Sequence, residues 1–264
     1  MEGAGLQLKR RLGRFGRRPL LGLAALGLWP RTALAFGQEG AFHARALSVG
    51  GGTLPEPRYT ALARWSWELV RRTSAPGRLV PAVIAADDPA LLFEPFAVWS
   101  GARAPAPLSI PEIRGLRRFL KLGGVLLVDD SEPSDGAFGR AARRELSRVL
   151  AEAPVVPLPK KHVLYKSYYL VDRPVGRIAG KPELDALARG KTVQVIFSDH
   201  DLLGALARQP GGSWSFVTEP GGDLQRQEAI RLAVNIAMYV LCSDYKDDQV
   251  HAQELMRRRG RRQR

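Results

Sequence analysis

Two acidic segments carry the residue types that acid–base or metal chemistry requires. The segment GGVLLVDDSE places Asp129 and Asp130 directly after an apolar run, and FSDHD places Asp199, His200 and Asp201 after another. Carboxylates beside a histidine can bind a divalent cation or transfer protons. Aspartates are also preferred helix caps and turn formers. Both interpretations therefore stay open at this point.

Weaker candidates lie elsewhere in the chain. The triple glycine at residues 50–52 could let backbone N–H groups approach a phosphate, but it lacks the Lys-Ser/Thr of a P-loop and the G-x-G-x-x-G spacing. His162 follows Lys161 in PKKHVLYK, where an exposed loop position suits it as well as a catalytic one. The sequence contains no G-x-S-x-G, H-E-x-x-H or C-x-x-C motif, so it assigns no metal site and identifies no cofactor.

Apolar runs of about five residues alternate with amphipathic segments between residues 44 and 241. The pattern predicts strands over residues 44–49, 79–86, 94–101, 125–128, 163–171 and 192–197, with Pro81 and Pro95 delaying two of the starts. It predicts helices over residues 59–72, 111–122, 139–150, 202–208 and 224–241. Ser109 is the expected cap of the second helix, with Glu112 in its first turn. This alternation predicts a mostly parallel α/β sheet with helices on both faces.

In an open parallel sheet, ligands bind beyond the carboxyl ends of the strands. That topology brings the loops after four predicted strands to one edge. The candidate catalytic residues are Asp129, Asp130, His162 and Asp201. The candidate ligand-binding residues are Gly50, Gly51, Gly52, Ser100, Asp129, Asp130, Asp199 and His200.

The positive charge is concentrated at the two ends of the chain. The formal net charge is +14, but seven basic residues fall within residues 1–35 and six within the final segment MRRRGRRQR. The body between them is nearly neutral. The final segment has no aromatic residue for base stacking, so we do not expect nucleic-acid binding. It predicts a disordered tail over residues 246–264 that could make weak contact with anionic surfaces.

The N-terminal segment GRRPLLGLAALGLWPRTALAF has the three parts of a bacterial export signal. Basic residues precede an apolar run too short to span a bilayer, and Ala33-Leu34-Ala35 matches an A-x-A cleavage site. The Arg17-Arg18 pair resembles a twin-arginine signal, and Arg10-Arg11 is a second candidate pair. An arginine-rich Sec signal is the alternative. We expect residues 1–35 to be removed and residues 36–245 to form one domain of a periplasmic or otherwise exported protein.

The single cysteine, Cys242, excludes an internal disulfide and a cysteine metal cluster. It follows the apolar run EAIRLAVNIAMYVL, which predicts that it packs at the end of a buried helix. No activating base is expected beside it.

Over residues 40–243 the chain resembles the family of domain of unknown function 4159. The resemblance rests on GGG at residues 50–52, FEPFAVWSG, LSIPEIRGLRRFLKLGGVLLVDD, FGRAARRELSRVLAE, HVLYKSYYL, SDHDLLGA and RLAVNIAMYVL. Its recurring positions fall on Gly50–Gly52, Asp129, Asp130, His162, Ser167, Tyr169, Asp201, Asn235 and Tyr239. Two positions depart from the family pattern, because Thr53-Leu54 stands where Asp-Trp is usual and Lys161 replaces an acid before the histidine.

The resemblance implies a class I glutamine amidotransferase-like fold, a flavodoxin-like three-layer α/β/α sandwich. It implies no activity, and it suggests partners among envelope or membrane proteins. Amidotransferases use a cysteine on a strand-to-helix elbow, whereas this chain has Asp129-Asp130 after its most elbow-like strand.

Three functions remain open from the sequence. The first is a non-catalytic, monomeric binding module acting at the strand-end edge. The second is a metal-assisted hydrolase using the edge carboxylates with His162 or His200. The third is a flavodoxin-like cofactor carrier, for which no Ser/Thr-rich phosphate loop is present.

Overall fold

Short runs of apolar residues form a seven-stranded sheet. The strands are β1 Arg45–Ser48, β2 Ala82–Ala85, β3 Phe96–Gly101, β4 Val125–Asp130, β5 Val155–Pro157, β6 Asp185–Arg189 and β7 Thr192–Ser198. The computed structural model describes residues 40–261 apart from residue 191, and their side chains as far as Ser243. The predicted export signal at residues 1–35 therefore lies outside the described residues.

Within the described residues, five α-helices cover the sheet. They are α1 Thr60–Thr73, α2 Ile110–Lys121, α3 Ala137–Val149, α4 Leu202–Leu206 and α5 Gly222–Arg261. Two short 3-10 helices, Pro89–Phe93 and Val163–Lys166, lie in the connections. The predicted capping box at α2 is confirmed, because the Ser109 side chain accepts the Glu112 N–H and the Glu112 side chain accepts the Ser109 N–H.

The strand order is β2-β1-β3-β4-β7-β6-β5. The five strands from β2 to β7 pair in parallel, while β6 and β5 add an antiparallel margin. The parallel part has the order of a flavodoxin-like sheet, with β7 in the place of the fifth strand. The predicted mostly parallel sheet is confirmed.

The two faces of the sheet carry separate cores. On one face, α1, α4 and α5 bury side chains such as Trp65 and Leu62. On the other, α2 and α3 bury Phe119, Phe138 and Leu146. Helices on both sides of one sheet form the expected three-layer α/β/α sandwich.

The predicted strand over residues 163–171 is wrong. The His162 side chain accepts the Leu164 N–H and starts a 3-10 helix. Further along, the Asn235 amide oxygen on α5 accepts the N–H groups of Tyr168 and Tyr169. The Asn235 side chain thus accepts the backbone N–H groups that a strand would donate to a neighbouring strand. Strands β5 and β6 were not predicted, because VVP is only three residues long and DALAR contains no β-branched or aromatic residue.

Helix α5 is longer than predicted. The apolar pattern placed its end at Leu241, whereas the backbone is helical to Arg261. No proline follows Pro220, and this stretch is rich in helix-favouring Ala, Gln, Glu, Leu, Met and Arg. Among the described residues, no helix has the length and apolar character needed to cross a membrane. Cys242 on α5 is exposed, so its predicted burial is wrong.

Candidate functional site

The carboxyl ends of the parallel strands meet at one edge, as predicted. Asp129 on β4 lies opposite Ser100 on β3 and opposite Ser198 on β7. The acidic segments after β4 and β7 are therefore neighbours. We call this the strand-end edge.

Asp129 caps the neighbouring helix α4. Its two carboxylate oxygens accept the N–H groups of Leu202 and Leu203, both at 2.8 Å. The side chain is fully buried. Burial raises the pKa of Asp129 to about 7, and the charge of Asp201 adds to the rise, against the lowering effect of the hydrogen bonds. Both oxygens are thus occupied by the protein backbone.

Asp130 points to the other face of the sheet. It accepts the N–H of Glu132 at 3.0 Å and that of Gly139, in the first turn of α3, at 2.9 Å. Burial raises the pKa of Asp130, and the nearby charge of Asp199 contributes to the rise. Asp129 and Asp130 therefore organise two different helices and do not converge.

Asp201 is the N-cap of α4 and adopts a left-handed backbone conformation with φ 52°. It is fully buried and accepts hydrogen bonds from Gly204 N–H and from Arg58 Nε and Nη2. Arg177 Nε donates to the same carboxylate. Both guanidinium groups also donate to the Ser131 carbonyl at 3.2 Å. These contacts neutralise the buried Asp201 and join three loops into one network.

Asp199 belongs to a second ionic network. Arg143 on α3 binds it through two nitrogens, at 3.1 and 2.9 Å, and also reaches Asp185 at 2.9 Å. Lys181 lies 2.9 Å from Asp185 and 3.1 Å from Asp199. Burial alone would raise the pKa of Asp199, but Arg143 and Lys181 hold it below its usual value.

His200 is buried and its Nδ1 accepts the Gly180 N–H at 2.9 Å. Burial lowers the pKa of His200 to about 4, so the ring is neutral at physiological pH. Its role is to anchor the 176–180 loop beside the strand-end edge.

The triple glycine forms a tight turn at the end of β1. Gly50 and Gly51 have positive φ angles of 59° and 74°, and Val49 and Gly52 exchange two backbone hydrogen bonds across the turn. The Gly50 N–H donates to the Glu112 carboxylate at 2.6 Å. The predicted phosphate donor at residue 50 is thus already bonded to an acid. The glycines serve the turn, whose positive φ angles other residues rarely adopt.

The structure does not bring His162 to the strand-end edge. Its ring packs 5.8 Å from that of Tyr239 on α5, and the Tyr239 hydroxyl accepts the Val193 N–H at the start of β7. The acidic segment follows the opposite end of that seven-residue strand. His162 therefore stabilises the contact with α5, and its grouping with Asp129, Asp130 and Asp201 is wrong.

A cleft of about 490 Å³ opens at the strand-end edge between α3 and the 178–181 loop. Its charged lining residues are Asp130, Arg140, Arg143, Lys181 and Asp199. A Cβ at Gly139 would lie 2.8 Å from Asp130 Oδ2 and 3.2 Å from Asp199 Oδ1, which shows how closely these two carboxylates approach. Arg140 and Lys181 have the most exposed side chains of the basic lining residues, at 65% and 56%. The predicted edge thus contains a ligand-sized space with charged walls.

Of the predicted ligand-binding residues, the cleft contains Asp130 and Asp199. Ser100 does not line the cleft, and its hydroxyl lies 3.1 Å from that of Ser131. No group of three or more His, Cys, Asp or Glu side chains in the described part of the chain is arranged to hold a metal ion.

The basic partners of this edge were missed by the sequence analysis. Arg58, Arg143 and Arg177 come from separate helices and loops, and each meets an aspartate far away in the sequence. No local motif marks them. The general rule that a buried aspartate needs a cationic partner predicts that such partners exist, but it does not say which arginines they are.

Two comparisons bear on the identity of the chain. The model of a family described as a domain of unknown function, DUF4159, matches residues 45–241. No curated protein matches the sequence.

Proposed function

Because the chain belongs to the DUF4159 family, whose description states no activity, we propose its function from the strand-end cleft. The chain is an exported, monomeric envelope protein with a non-catalytic binding module. The cleft binds an anionic group of a small ligand or of a partner protein in the envelope. The observation that carries the proposal is the charged cleft at the edge where parallel α/β sheets bind ligands.

The flavodoxin-like order of the parallel strands supports the proposed kinship with class I glutamine amidotransferase-like domains. Cys242 lies on α5, away from any strand-to-helix elbow. The described residues therefore offer no thiolate at the position where an amidotransferase would need one.

The positions of the carboxylates favour binding over metal-assisted hydrolysis. A hydrolase would need two or more free carboxylates converging on one reacting atom. Asp129 and Asp130 instead accept backbone N–H groups from two different helices, and Asp201 is neutralised by two arginines. The most exposed basic groups of the cleft are Arg140 and Lys181, which pair with Asp135 and with Asp185 and Asp199 but keep 65% and 56% of their side chains exposed.

The test is a thermal-shift screen of mature protein against carboxylates and phosphorylated small molecules at low ionic strength. Hits are confirmed by calorimetry on Arg140→Ala and Lys181→Ala variants. Each variant should weaken binding by about tenfold, the loss expected for a charge-assisted hydrogen bond. The hit ligand should be recovered unchanged after prolonged incubation.

The matched control is Lys121→Ala, which removes an exposed lysine at the other end of the sheet. Its affinity should equal that of wild type. A hit that binds both cleft variants as tightly as wild type would refute the location of the site. Turnover of the ligand would refute the non-catalytic assignment.

A further inference from the structure

Trp214 lies among three arginines on the face formed by α1 and α5. The guanidinium carbon of Arg208 is 3.3 Å from the ring centroid, that of Arg226 is 4.4 Å away and that of Arg64 is 5.3 Å away. Cation–π attraction offsets part of the mutual repulsion of these groups. We call these three residues the arginine cluster. Their three positive charges share a single aromatic ring, so the repulsion between them is only partly offset.

The cluster contains buried donors that have no partner. Six buried side-chain polar atoms lack a hydrogen bond among the described residues, and four belong here: Arg64 Nε, Arg208 Nε, Ser215 Oγ and Arg226 Nε. Such atoms are rare in folded proteins, and each is a donor for which the described residues supply no acceptor.

Arg226 is held firmly in this position. The residue is only 3% exposed, and its two terminal nitrogens each donate, at 2.6 Å, to the carbonyl oxygens of Ala205 and Phe216. The guanidinium is thereby oriented before any ligand arrives, and the Nε donor remains unused. A preoriented donor loses little conformational freedom on binding.

A pocket of about 420 Å³ adjoins the cluster. Trp214, Ser215 and Arg226 line one part of it, and Gly222 and Asp223 in the first turn of α5 line another. Helix N-termini present N–H groups and a partial positive charge, which favour anions. Two of the unpartnered donors, Ser215 Oγ and Arg226 Nε, belong to lining residues.

The carboxylates near the cluster do not neutralise it. Glu68 is shared by Arg64 and Arg72. Asp223 has a side chain 94% exposed, and its oxygen is 3.9 Å from Arg226 Nε, beyond hydrogen-bond distance. Three arginines therefore face one shared and one solvent-screened carboxylate.

We propose that the pocket beside Trp214 is a second binding site, which takes a phosphate-type oxyanion. The Ser215 hydroxyl and Arg226 Nε donate to its oxygens, while the partial positive charge at the start of α5, Arg208 and Arg64 supply longer-range attraction. The oxyanion comes either from a free phosphorylated molecule or from a phospholipid headgroup. This site is separate from the strand-end cleft and has a different set of residues.

Inorganic phosphate is the first probe, titrated into the mature protein by calorimetry with NMR detection of the arginine Nε–H resonances. We expect saturable binding and a shift of the Arg226 Nε–H signal. Ser215→Ala should weaken binding by about tenfold, the loss expected for a hydrogen bond. Arg208→Gln should weaken it several-fold, because it removes a nearby positive charge. Arg226 itself is left unchanged, because its contacts with Ala205 and Phe216 also stabilise the fold.

Asp223→Asn gives a prediction of opposite sign. Removing the exposed carboxylate from the pocket wall should tighten phosphate binding several-fold at low ionic strength, and the gain should shrink in salt. A variant that merely damaged the fold could not produce tighter binding. The matched control is Lys121→Ala, which should leave the affinity unchanged.

Vesicles distinguish the two sources of the oxyanion. Cosedimentation with vesicles containing phosphatidic acid, competed by inorganic phosphate, supports a headgroup. Phosphate binding without cosedimentation supports a free molecule. The proposal is overturned if phosphate does not saturate the protein, if Asp223→Asn fails to tighten binding, or if Lys181→Ala abolishes binding while Arg208→Gln does not.

Discussion

At the scale of single residues, Asp129 shows how a catalytic-looking carboxylate can serve the fold. It follows a buried strand at the edge where active sites occur, and its pKa is raised to about 7. Perturbed pKa values are common at functional sites, but buried structural groups have them too. Here both oxygens bind the first turn of α4. The raised pKa is therefore a property of a buried helix cap.

The pKa of Asp129 predicts a pH dependence of stability. The folded-state pKa of about 7 exceeds the ordinary value of an aspartate. Between about pH 4 and 7, Asp129 is therefore protonated in the folded protein and ionised in the unfolded chain. The resulting stabilisation is complete below about pH 4 and is lost as the pH rises through 7. Urea unfolding should show a smaller decline over this range in Asp129→Asn than in wild type.

Asp135→Asn is the control for this measurement, because the same chemical change is made at a carboxylate that is 69% exposed. Its profile should follow that of wild type. If Asp129→Asn also declines in parallel with wild type, Asp129 does not titrate in this range.

At the scale of elements, glycines have two distinct roles. Gly50 and Gly51 supply the positive φ angles of the turn after β1. Gly115 on α2 instead permits a close approach, because a Cβ there would lie 2.0 Å from the Ala86 carbonyl oxygen. The first role concerns backbone conformation, and the second concerns the packing of α2 against the chain beyond β2.

Alanine substitutions should separate these roles by unfolding free energy. Gly51→Ala has open space for its Cβ but an unfavourable φ of 74°, so it should cost about 1–2 kcal/mol. Gly115→Ala must move α2 away from Ala86, and overpacking of this severity should cost about 3 kcal/mol or more. Gly211→Ala meets no atom within 4 Å and serves as the control, with an effect near zero. The reverse order for Gly51 and Gly115 would contradict this assignment.

At the scale of the whole molecule, export is the prediction that decides the compartment of the protein. Residues 1–40 fused to a reporter should direct it out of the cytoplasm, with cleavage after Ala35. Changing Arg17 and Arg18 together to lysine should block export if the twin-arginine route is used.

The same change at Arg10 and Arg11, the second candidate pair, should leave export intact if Arg17 and Arg18 form the recognised pair. Fractionation and sequencing of the reporter's N-terminus provide the measurement. A reporter retained in the cytoplasm by the unaltered segment would contradict the proposed localisation.

Much of the architecture follows from local sequence signals. The alternation of apolar runs with amphipathic segments predicted the parallel sheet and its helices, and Ser109 with Glu112 predicted the start of α2. These features depend on contacts between residues close in sequence or on hydrophobic periodicity. Strands β5 and β6 escaped detection because each is stabilised by pairing with a neighbouring strand, β6 with β7 and β5 with β6.

By itself, the sequence determined the fold class, the family and the edge at which the acidic segments lie. Only the tertiary structure decided which side chains meet there. Asp201 binds Arg58, which lies 143 residues away in the sequence, and His162 packs against α5. No local sequence pattern marks either contact. The orientation of a carboxylate toward a helix terminus or toward a cleft is set by packing between distant elements. Short-range patterns therefore place such residues on an edge, and long-range packing determines what each one binds.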